Sequence, residues 1–418
     1  MTPHSTAPTT QWTSVVLKRN RKRRLEAGHP WIFSSEIDEI QGPFESGQLV
    51  HILNHQNLYM ATAYANPSSQ IVCRILSYNE FDDIDLEFFK TRVRQAKALR
   101  ERLLGSAEGY RLIYGEADFL PGLVVDRYKD ILVAQILTAG MERFKEWILE
   151  ALVEECRPTG VYWRNDVSVR KLEGLSLYTE VAYGTVPNPI RIVENGLQFD
   201  IDVYSGQKTG HFFDQRDNRR LIRPFVAPTH SGRGAKMLEC FCHTGAFTAH
   251  ALAYGANHVT AVDISQTALD AAHRNLELNG LEDRATFVCA NAFDYLRELE
   301  SDGERYDVIL LDPPAFAKSK NAVEGALRGY KDINLRALRL LHEGGFLITA
   351  SCSSHVTAEM FQDTVLDAAV DAHRLVRLIE FRGAGPDHPE LAAAPENNYL
   401  KFAVYEVRSR GPKKGRGR

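Results

Sequence analysis

Short apolar runs broken by turn residues dominate residues 13–82: Val15-Val16-Leu17, Gln48-Leu49-Val50-His51-Ile52-Leu53, Tyr59-Met60-Ala61-Thr62-Ala63-Tyr64 and Ile71-Val72-Cys73-Arg74-Ile75-Leu76. Such runs predict β-strands, here of a small β-barrel module. After Phe81-Asp82-Asp83 the period becomes helical, with Phe88, Phe89, Val93, Ala96, Leu99 and Leu103 on one stripe. Strand-like Leu123-Val124-Val125-Asp126 and Ile131-Leu132-Val133-Ala134-Gln135 follow, then a helix carrying Phe144, Ile148, Leu149 and Leu152, then Val161-Tyr162-Trp163. Residues 83–190 thus read as a central α+β domain of ordinary size.

From residue 191 the pattern changes again. Arg191-Ile192-Val193-Glu194 and Gln198-Phe199-Asp200-Ile201-Asp202 flank Asn195-Gly196, a strong hairpin signal. Beyond Lys236, strands and helices alternate: Met237-Leu238-Glu239-Cys240, Val259-Thr260-Ala261-Val262-Asp263 with a helix from Ser265 to Asn279, and Thr286-Phe287-Val288-Cys289. Ser265 suits a helix N-cap and Gly280 the position just past a helix end. The buried-type runs Val308-Ile309-Leu310-Leu311 and Phe346-Leu347-Ile348-Thr349-Ala350 extend the series. This alternation predicts parallel βαβ units, a doubly wound α/β domain over 191–408. Residues 409–418 form a basic tail.

A length of 418 residues implies two or three cores, and 44% hydrophobic with 25% charged residues is a globular composition. The start has no apolar signal region and no run is long enough to span a membrane, so a cytoplasmic protein without membrane contact is expected. Six scattered cysteines fit reduced thiols better than a disulfide framework. The net charge of −4 conceals the basic run Lys18, Arg19, Arg21, Lys22, Arg23 and Arg24, and the tail residues Lys413, Lys414, Arg416 and Arg418. The first run, flanked by structured segments, is a candidate phosphate-binding face. The glycine-rich tail reads as a solvated charge run.

Chemistry concentrates at strand ends, where ligands bind in doubly wound sheets. Cys352 follows the 346–350 strand, and Asp312 follows 308–311 with Pro313 and Pro314 fixing the backbone beyond it. The first strand ends in Glu239-Cys240-Phe241-Cys242-His243-Thr244-Gly245, and Asp263 ends the second. One glycine cannot make the dinucleotide fingerprint, so a pyrophosphate cofactor is disfavoured. An adenosine-type ligand fits better, with S-adenosylmethionine leading: its ribose on Asp263, its carboxylate near the helix start at Thr244 and Gly245. A zinc site at Cys240-x-Cys242-His243 is disfavoured because the spacing is wrong and a second ligand pair is lacking.

Taken together the chain resembles the ribosomal RNA large subunit methyltransferase I family of 5-methylcytosine methyltransferases. The resemblance rests on Gly28-His29-Pro30-Trp31-Ile32-Phe33, on Leu120-Pro121-Gly122-Leu123-Val124-Val125-Asp126-Arg127 and on the specific block Lys208-Thr209-Gly210-His211-Phe212-Phe213-Asp214-Gln215-Arg216-Asp217-Asn218-Arg219. Asp263-Ile264-Ser265-Gln266, Asp312-Pro313-Pro314, Arg328-Gly329-Tyr330-Lys331-Asp332-Ile333-Asn334 and Ser351-Cys352-Ser353 match as well. It implies a PUA-like RNA-binding module over 13–82 and a Rossmann-like class I methyltransferase domain. It further implies that Phe213, Asp214 and Arg216 line the methionine end of the cofactor, with Cys240, Ile264 and Asn291 among its neighbours. Relatives commonly carry an acid where this chain has Asn291, which can either meet the adenine or cap the next helix. Trp31, Phe316 and Lys331 join the basic run as RNA contacts. The partner implied is large-subunit ribosomal RNA, free or in an assembly intermediate, and a homodimer is compatible with the resemblance.

In this reading Cys352 adds to C6 of cytosine and Asp312, as a carboxylic acid, donates a hydrogen bond at the N3 edge. Two alternatives stand beside it: methylation of a base nitrogen with Cys352 structural, and a non-catalytic RNA-binding or assembly protein on a methyltransferase fold.

Overall fold

In the computed structural model, which describes residues 13–228, 232–317 and 319–411, the β-branched runs near the start form six strands. They are β1 (Ser14–Leu17), β2 (Trp31–Phe33), β3 (Ile37–Gln41), β4 (Gln48–Leu53), β5 (Tyr59–Ala65) and β6 (Ile71–Ser77). The expected barrel is realised as one six-stranded sheet, β2-β6-β5-β4-β1-β3, with β2 and β3 at its edges. Neighbours are antiparallel except β1 and β4. Alternation along β4 and β5 sends Val50, Ile52, Ala61 and Ala63 into one buried cluster with Cys73 and Ile75. Of the basic tail, Lys413, Lys414, Arg416 and Arg418 lie outside the described residues.

The helical stripe becomes α1 (Leu86–Leu104), started by the Asp85 carboxylate accepting the Phe88 N–H at 3.0 Å. Its buried face is Phe89, Val93, Ala96 and Arg100, whereas Leu99 and Leu103, expected on that face, are 37% and 49% exposed. Arg100 can be buried because its guanidinium forms a two-pronged ion pair with Asp118 and donates to the Asp387 carbonyl at 2.9 Å. A charge so satisfied occupies a position that hydropathy alone assigns to leucine.

Next come β7 (Gly109–Tyr114), β8 (Leu123–Tyr128), β9 (Ile131–Ile136), α2 (Ala139–Arg143), α3 (Lys145–Cys156), β10 (Gly160–Asn165) and β11 (Tyr178–Gly184). These strands make a five-stranded sheet, β11-β10-β9-β8-β7, in which β9 and β10 are parallel and joined across α2 and α3. Tyr64 ties the two sheets together: its hydroxyl donates to the Pro121 carbonyl at 2.8 Å, and its ring lies 2.1 Å from where a Gly140 side chain would begin. Both sheets, with 201–211 and 386–397, form one compact unit.

The second unit comprises 191–200, 212–385 and the chain from 398. Its hairpin, β12 (Ile190–Glu194) and β13 (Leu197–Ile201), turns through Asn195 at φ 52° and Gly196 at φ 87°, the left-handed pair a two-residue loop needs. Short helices α4 (Arg216–Leu221) and α5 (Arg223–Val226) follow. Then come β14 (Lys236–Cys240), α6 (Ala246–Ala253), β15 (His258–Asp263), α7 (Gln266–Glu277), β16 (Ala285–Cys289), α8 (Ala292–Asp302) and β17 (Tyr306–Leu311). The remainder is α9 (Val323–Leu340), β18 (Leu341–Ser351), α10 (Ala358–Asp371), β19 (Arg374–Arg382) and β20 (Lys401–Ser409).

Seven strands lie in the order β16-β15-β14-β17-β18-β20-β19, the first five parallel and β20 antiparallel to both its neighbours. Ser265 caps α7 by accepting the Ala268 N–H at 3.3 Å. Gly280 ends it at φ 62°, with Leu281 N–H on the Leu276 carbonyl and Gly280 N–H on that of Glu277, both at 3.1 Å. Strand order reverses between β14 and β17, and a reversal opens a crevice at the carboxyl ends of the two strands. Among the described residues no helix is long and apolar enough to cross a membrane.

Candidate active site at the strand ends

The loop leaving β14 is the most constrained stretch of backbone in the crevice. Phe241, His243 and Gly245 have φ of 67°, 48° and 73°. A left-handed conformation costs a residue with a side chain about 1–2 kcal/mol, so neighbouring groups must hold it. Phe241 and Cys242 N–H both donate to the Val262 carbonyl, at 2.8 and 3.1 Å, and His243 N–H donates to Asp263 Oδ2 at 2.9 Å. Gly245 is required twice, by its φ and because a Cβ there would sit 2.8 Å from Ala272 Cβ, blocking the approach of α6 to α7.

Asp263 receives the Ser265 N–H on its other oxygen at 2.9 Å, so the carboxylate is fixed across the ends of β14 and β15. Ile264 beside it is 72% exposed, an apolar surface next to a fixed acid. Asn291 accepts the Phe293 N–H at 2.9 Å and caps α8, so of its two readings the helix cap is observed. Thr244 is half-buried, its carbonyl accepting from Asn275 Nδ2 at 3.1 Å.

Cys240 does not line the crevice. Its thiol is buried with Leu238, Val262 and Leu311, because the strand's alternation turns it into the core; only its carbonyl reaches a site residue, taking the Asp312 N–H at 3.4 Å. Cys242 packs in a different cluster, with Ala261 and Leu269. Glu239, which the sequence reading passed over, is buried and receives the Thr248 hydroxyl; burial pushes its carboxyl up to about 8, and the charges of Asp312 and Asp263 push the same way.

Asp312, just past β17, accepts Gln215 Nε2 on Oδ2 at 3.0 Å. Gln215 is held in turn by Asn218 Nδ2 at 2.6 Å. In the same segment Phe213 is buried, the Asp214 carboxylate takes the Tyr399 hydroxyl, and the Arg216 guanidinium pairs with Asp217 at 3.1 Å. Cys352 is half-buried just past β18, with its Sγ 3.7 Å from the Pro313 carbonyl, the residue after Asp312. Since β17 and β18 are parallel neighbours, thiol and carboxylate share one end of the sheet.

The residues around Cys352 are tightly held. Ser351 Oγ donates to the Tyr330 hydroxyl at 2.9 Å, that hydroxyl meets Ser353 Oγ at 3.0 Å, and the Ala317 N–H reaches Ser353 Oγ at 3.2 Å. Lys401 Nζ donates to the Ser353 and Tyr399 carbonyls, both at 2.7 Å. Phe316 is half-buried, its ring 4.7 Å from Tyr330 and 5.8 Å from Phe293, and with Phe293, Asn321, Arg328 and Gly329 it lines an open groove. Lys331, expected to contact RNA, pairs with Asp371 on α10 at 2.9 Å.

In the first unit the basic run divides. Arg21 grips Glu26 with two bonds of 2.9 and 3.0 Å, and Arg24 pairs with Glu396 at 2.8 Å, so both serve the fold. Trp31 donates from Nε1 to Glu116 at 2.8 Å under the Arg74 guanidinium, which makes it an internal anchor. Lys18, Arg19, Lys22 and Arg23 face solvent, Lys18 bonding the Ser35 carbonyl at 3.0 Å.

Residues 15–78 match the PUA-like domain family, and 178–402 match the S-adenosylmethionine-dependent methyltransferase family. The chain is 44% identical to the ribosomal RNA large subunit methyltransferase I of Aliivibrio fischeri, over 93% of this chain and 98% of the relative. It is also 44% identical to that of Photobacterium profundum, over 94% and 99%. A solved structure described as a SAM-dependent methyltransferase from Streptococcus mutans shares the fold at TM-score 0.80 and 21% identity, covering 94% of this chain and 100% of that one. A methyltransferase complexed with SAH matches at TM-score 0.81 with the same identity and coverage. With relatives aligned nearly end to end and the catalytic-domain family spanning more than half its length, this chain belongs to the ribosomal RNA large subunit methyltransferase I family of S-adenosylmethionine-dependent methyltransferases.

Proposed function

We propose that this protein methylates C5 of a cytosine in large-subunit ribosomal RNA in the cytoplasm, through a covalent bond between Cys352 and C6 of the base. The observation that carries the reading is the half-buried Cys352 thiol, 3.7 Å from the carbonyl of Pro313 next to Asp312, at the same end of the sheet as Asp263 and Ile264. The RNA class follows from the names of the relatives.

The crevice suits S-adenosylmethionine. Asp263, its two oxygens anchored by backbone N–H groups, keeps lone pairs for the two ribose hydroxyls, and exposed Ile264 offers an apolar face to the adenine. Thr244, Gly245, Phe213, Asp214 and Arg216 serve the methionine end. When bound, the cofactor supplies an electrophilic methyl group.

C5 of cytosine is a weak nucleophile, and the Cys352 thiolate makes it a strong one. As the Sγ–C6 bond forms, the C5–C6 π pair moves to C5 and from there bonds the methyl carbon, whose bond to the donor sulfur breaks. Loss of the C5 proton to a base then restores the C5–C6 double bond and returns the Sγ–C6 pair to sulfur. Asp312, oriented by Gln215, meets the N3 edge of the ring, where charge builds during addition. The domain at 13–82 presents Lys18, Arg19, Lys22 and Arg23 to phosphates, with the RNA free or in an assembly intermediate, while 83–190 and 191–408 form the central and catalytic domains.

The test is mass spectrometry of nucleosides from ribosomal RNA treated with the protein and methyl-labelled cofactor. Label in 5-methylcytidine is expected. Label on a base nitrogen instead would replace this reading with one in which Cys352 is structural.

A further inference from the structure

Lys401 is an unusual residue for its position. It opens β20, stands directly across from Ser351 in the antiparallel ladder, and is only 4% exposed. A buried ammonium normally requires a carboxylate partner, yet the oxygens that Lys401 meets are not carboxylates. Its bonds go to two neutral carbonyls, those of Ser353 and Tyr399. The first of these belongs to the residue after Cys352. Burial brings the ammonium down to about 8, and the charge of Cys352 is the influence that opposes this fall. Such coupling is reciprocal: whatever the thiolate does for the ammonium, the ammonium does for the thiolate.

Other titratable side chains stand on the elements around the thiol. Tyr330 comes from α9, and burial pushes its phenol up, away from ionisation. Asp312 comes from the end of β17, its carboxyl accepting from Gln215. Tyr399 precedes β20 with its hydroxyl on Asp214, and His355 lies three residues further along the Cys352 loop.

We infer that Lys401 is a positioning residue whose ammonium is the counter-charge of the Cys352 thiolate, holding the nucleophile ionised before the base arrives. This rests on the reading of Cys352 as nucleophile. The side chain acts twice: its bond to the Ser353 carbonyl fixes the loop, and its charge compensates the sulfur. On elimination, the pair returning to Sγ is met by the same cation, so the thiol need not be protonated in order to leave. A packing role alone would explain the bonds to the two carbonyls; it would not explain why the residue carrying them is charged.

The experiment follows the alkylation of Cys352 by iodoacetamide in the full-length protein between about pH 6 and pH 10, resolved by peptide mass spectrometry. The exposed Cys289 serves as the internal reference thiol. In the wild type the midpoint for Cys352 is expected below that of Cys289. Lys401→Met should raise it by about one to three pH units, and Lys401→Arg, which keeps the charge, should restore it. Lys401→Gln, which can still donate to both carbonyls, replaces Lys401→Met if the latter does not fold. An unchanged midpoint in the uncharged variants overturns the proposal, as does an equal rise in Lys401→Arg, which would assign the effect to packing. A wild-type Cys352 midpoint at or above that of Cys289 overturns it without any variant. No RNA is used, so the outcome is separate from that of Cys352 itself: methyl transfer surviving in Cys352→Ala would remove the nucleophile reading whatever the alkylation profile shows.

Discussion

The crevice of the second unit and the basic run of the first both hold polar residues in quantity, but they hold them differently. In the crevice almost every group is bonded to a neighbour: Asp263 to two backbone N–H groups, Asp312 to Gln215, Ser351 and Ser353 to Tyr330. In the basic run, Arg21 and Arg24 are fixed by acids while Arg19, Lys22 and Arg23 extend into solvent. A site for chemistry must hold its atoms in place before substrate binds, whereas a face for phosphates needs charge more than geometry. The same residue type therefore has opposite meanings within a few positions of sequence.

Substitutions can separate the two modes. The largest effect is expected from Asp263→Ala, which removes the carboxylate proposed to accept from the ribose hydroxyls: about 10- to 100-fold weaker S-adenosylmethionine binding by calorimetry, since hydrogen bonds to charged groups are worth about 1.5–3 kcal/mol. Binding within twofold of wild type would show that the cofactor does not use this acid. A smaller effect is expected in the basic run. Lys22→Ala and Arg23→Ala should each lower the slope of log affinity for RNA against log salt by about one, without changing the melting temperature. Arg21→Ala should do the reverse, leaving the slope intact while costing about 0–1 kcal/mol of stability through its partly exposed pair with Glu26. A slope that falls equally for all three would erase the division.

A further contrast concerns pH. Burial raises the Glu239 carboxyl to about 8 from an ordinary 4.5. Between those values the folded protein keeps a proton that the unfolded chain has lost, so stability falls as pH rises through that window. Glu239→Gln has no such proton, and its melting temperature should decline less than that of the wild type between about pH 5 and pH 8. Parallel declines would mean that Glu239 is ionised in the fold.

Much of this arrangement is legible in the chain because the signals are local. Asn195-Gly196 makes its hairpin, Ser265 and Gly280 bracket α7, and Cys352 and Asp312 sit just past strands that their apolar runs announce. What is not legible depends on distant partners. Arg24 reads as one more surface cation because its acid, Glu396, lies 372 positions away. Arg100 falls on the polar side of a hydropathy count, and only Asp118 and the Asp387 carbonyl make it a core residue. Lys401 reaches the loop that carries Cys352 because β20 inserts antiparallel between β18 and β19, a pairing that the run Phe402-Ala403-Val404-Tyr405 does not specify. Cys240 shows the opposite error: its position next to a glycine-bearing loop suggests a ligand contact, but the two-residue period of the strand turns its thiol inwards.

The central claim is that Cys352 is the nucleophile, and the nucleoside assay described above tests it most directly when wild type and Cys352→Ala are run side by side with calorimetry of the cofactor. The account predicts labelled 5-methylcytidine from the wild type, none above background from Cys352→Ala, and equal cofactor binding by both. Labelled 5-methylcytidine from Cys352→Ala at an undiminished rate would contradict it.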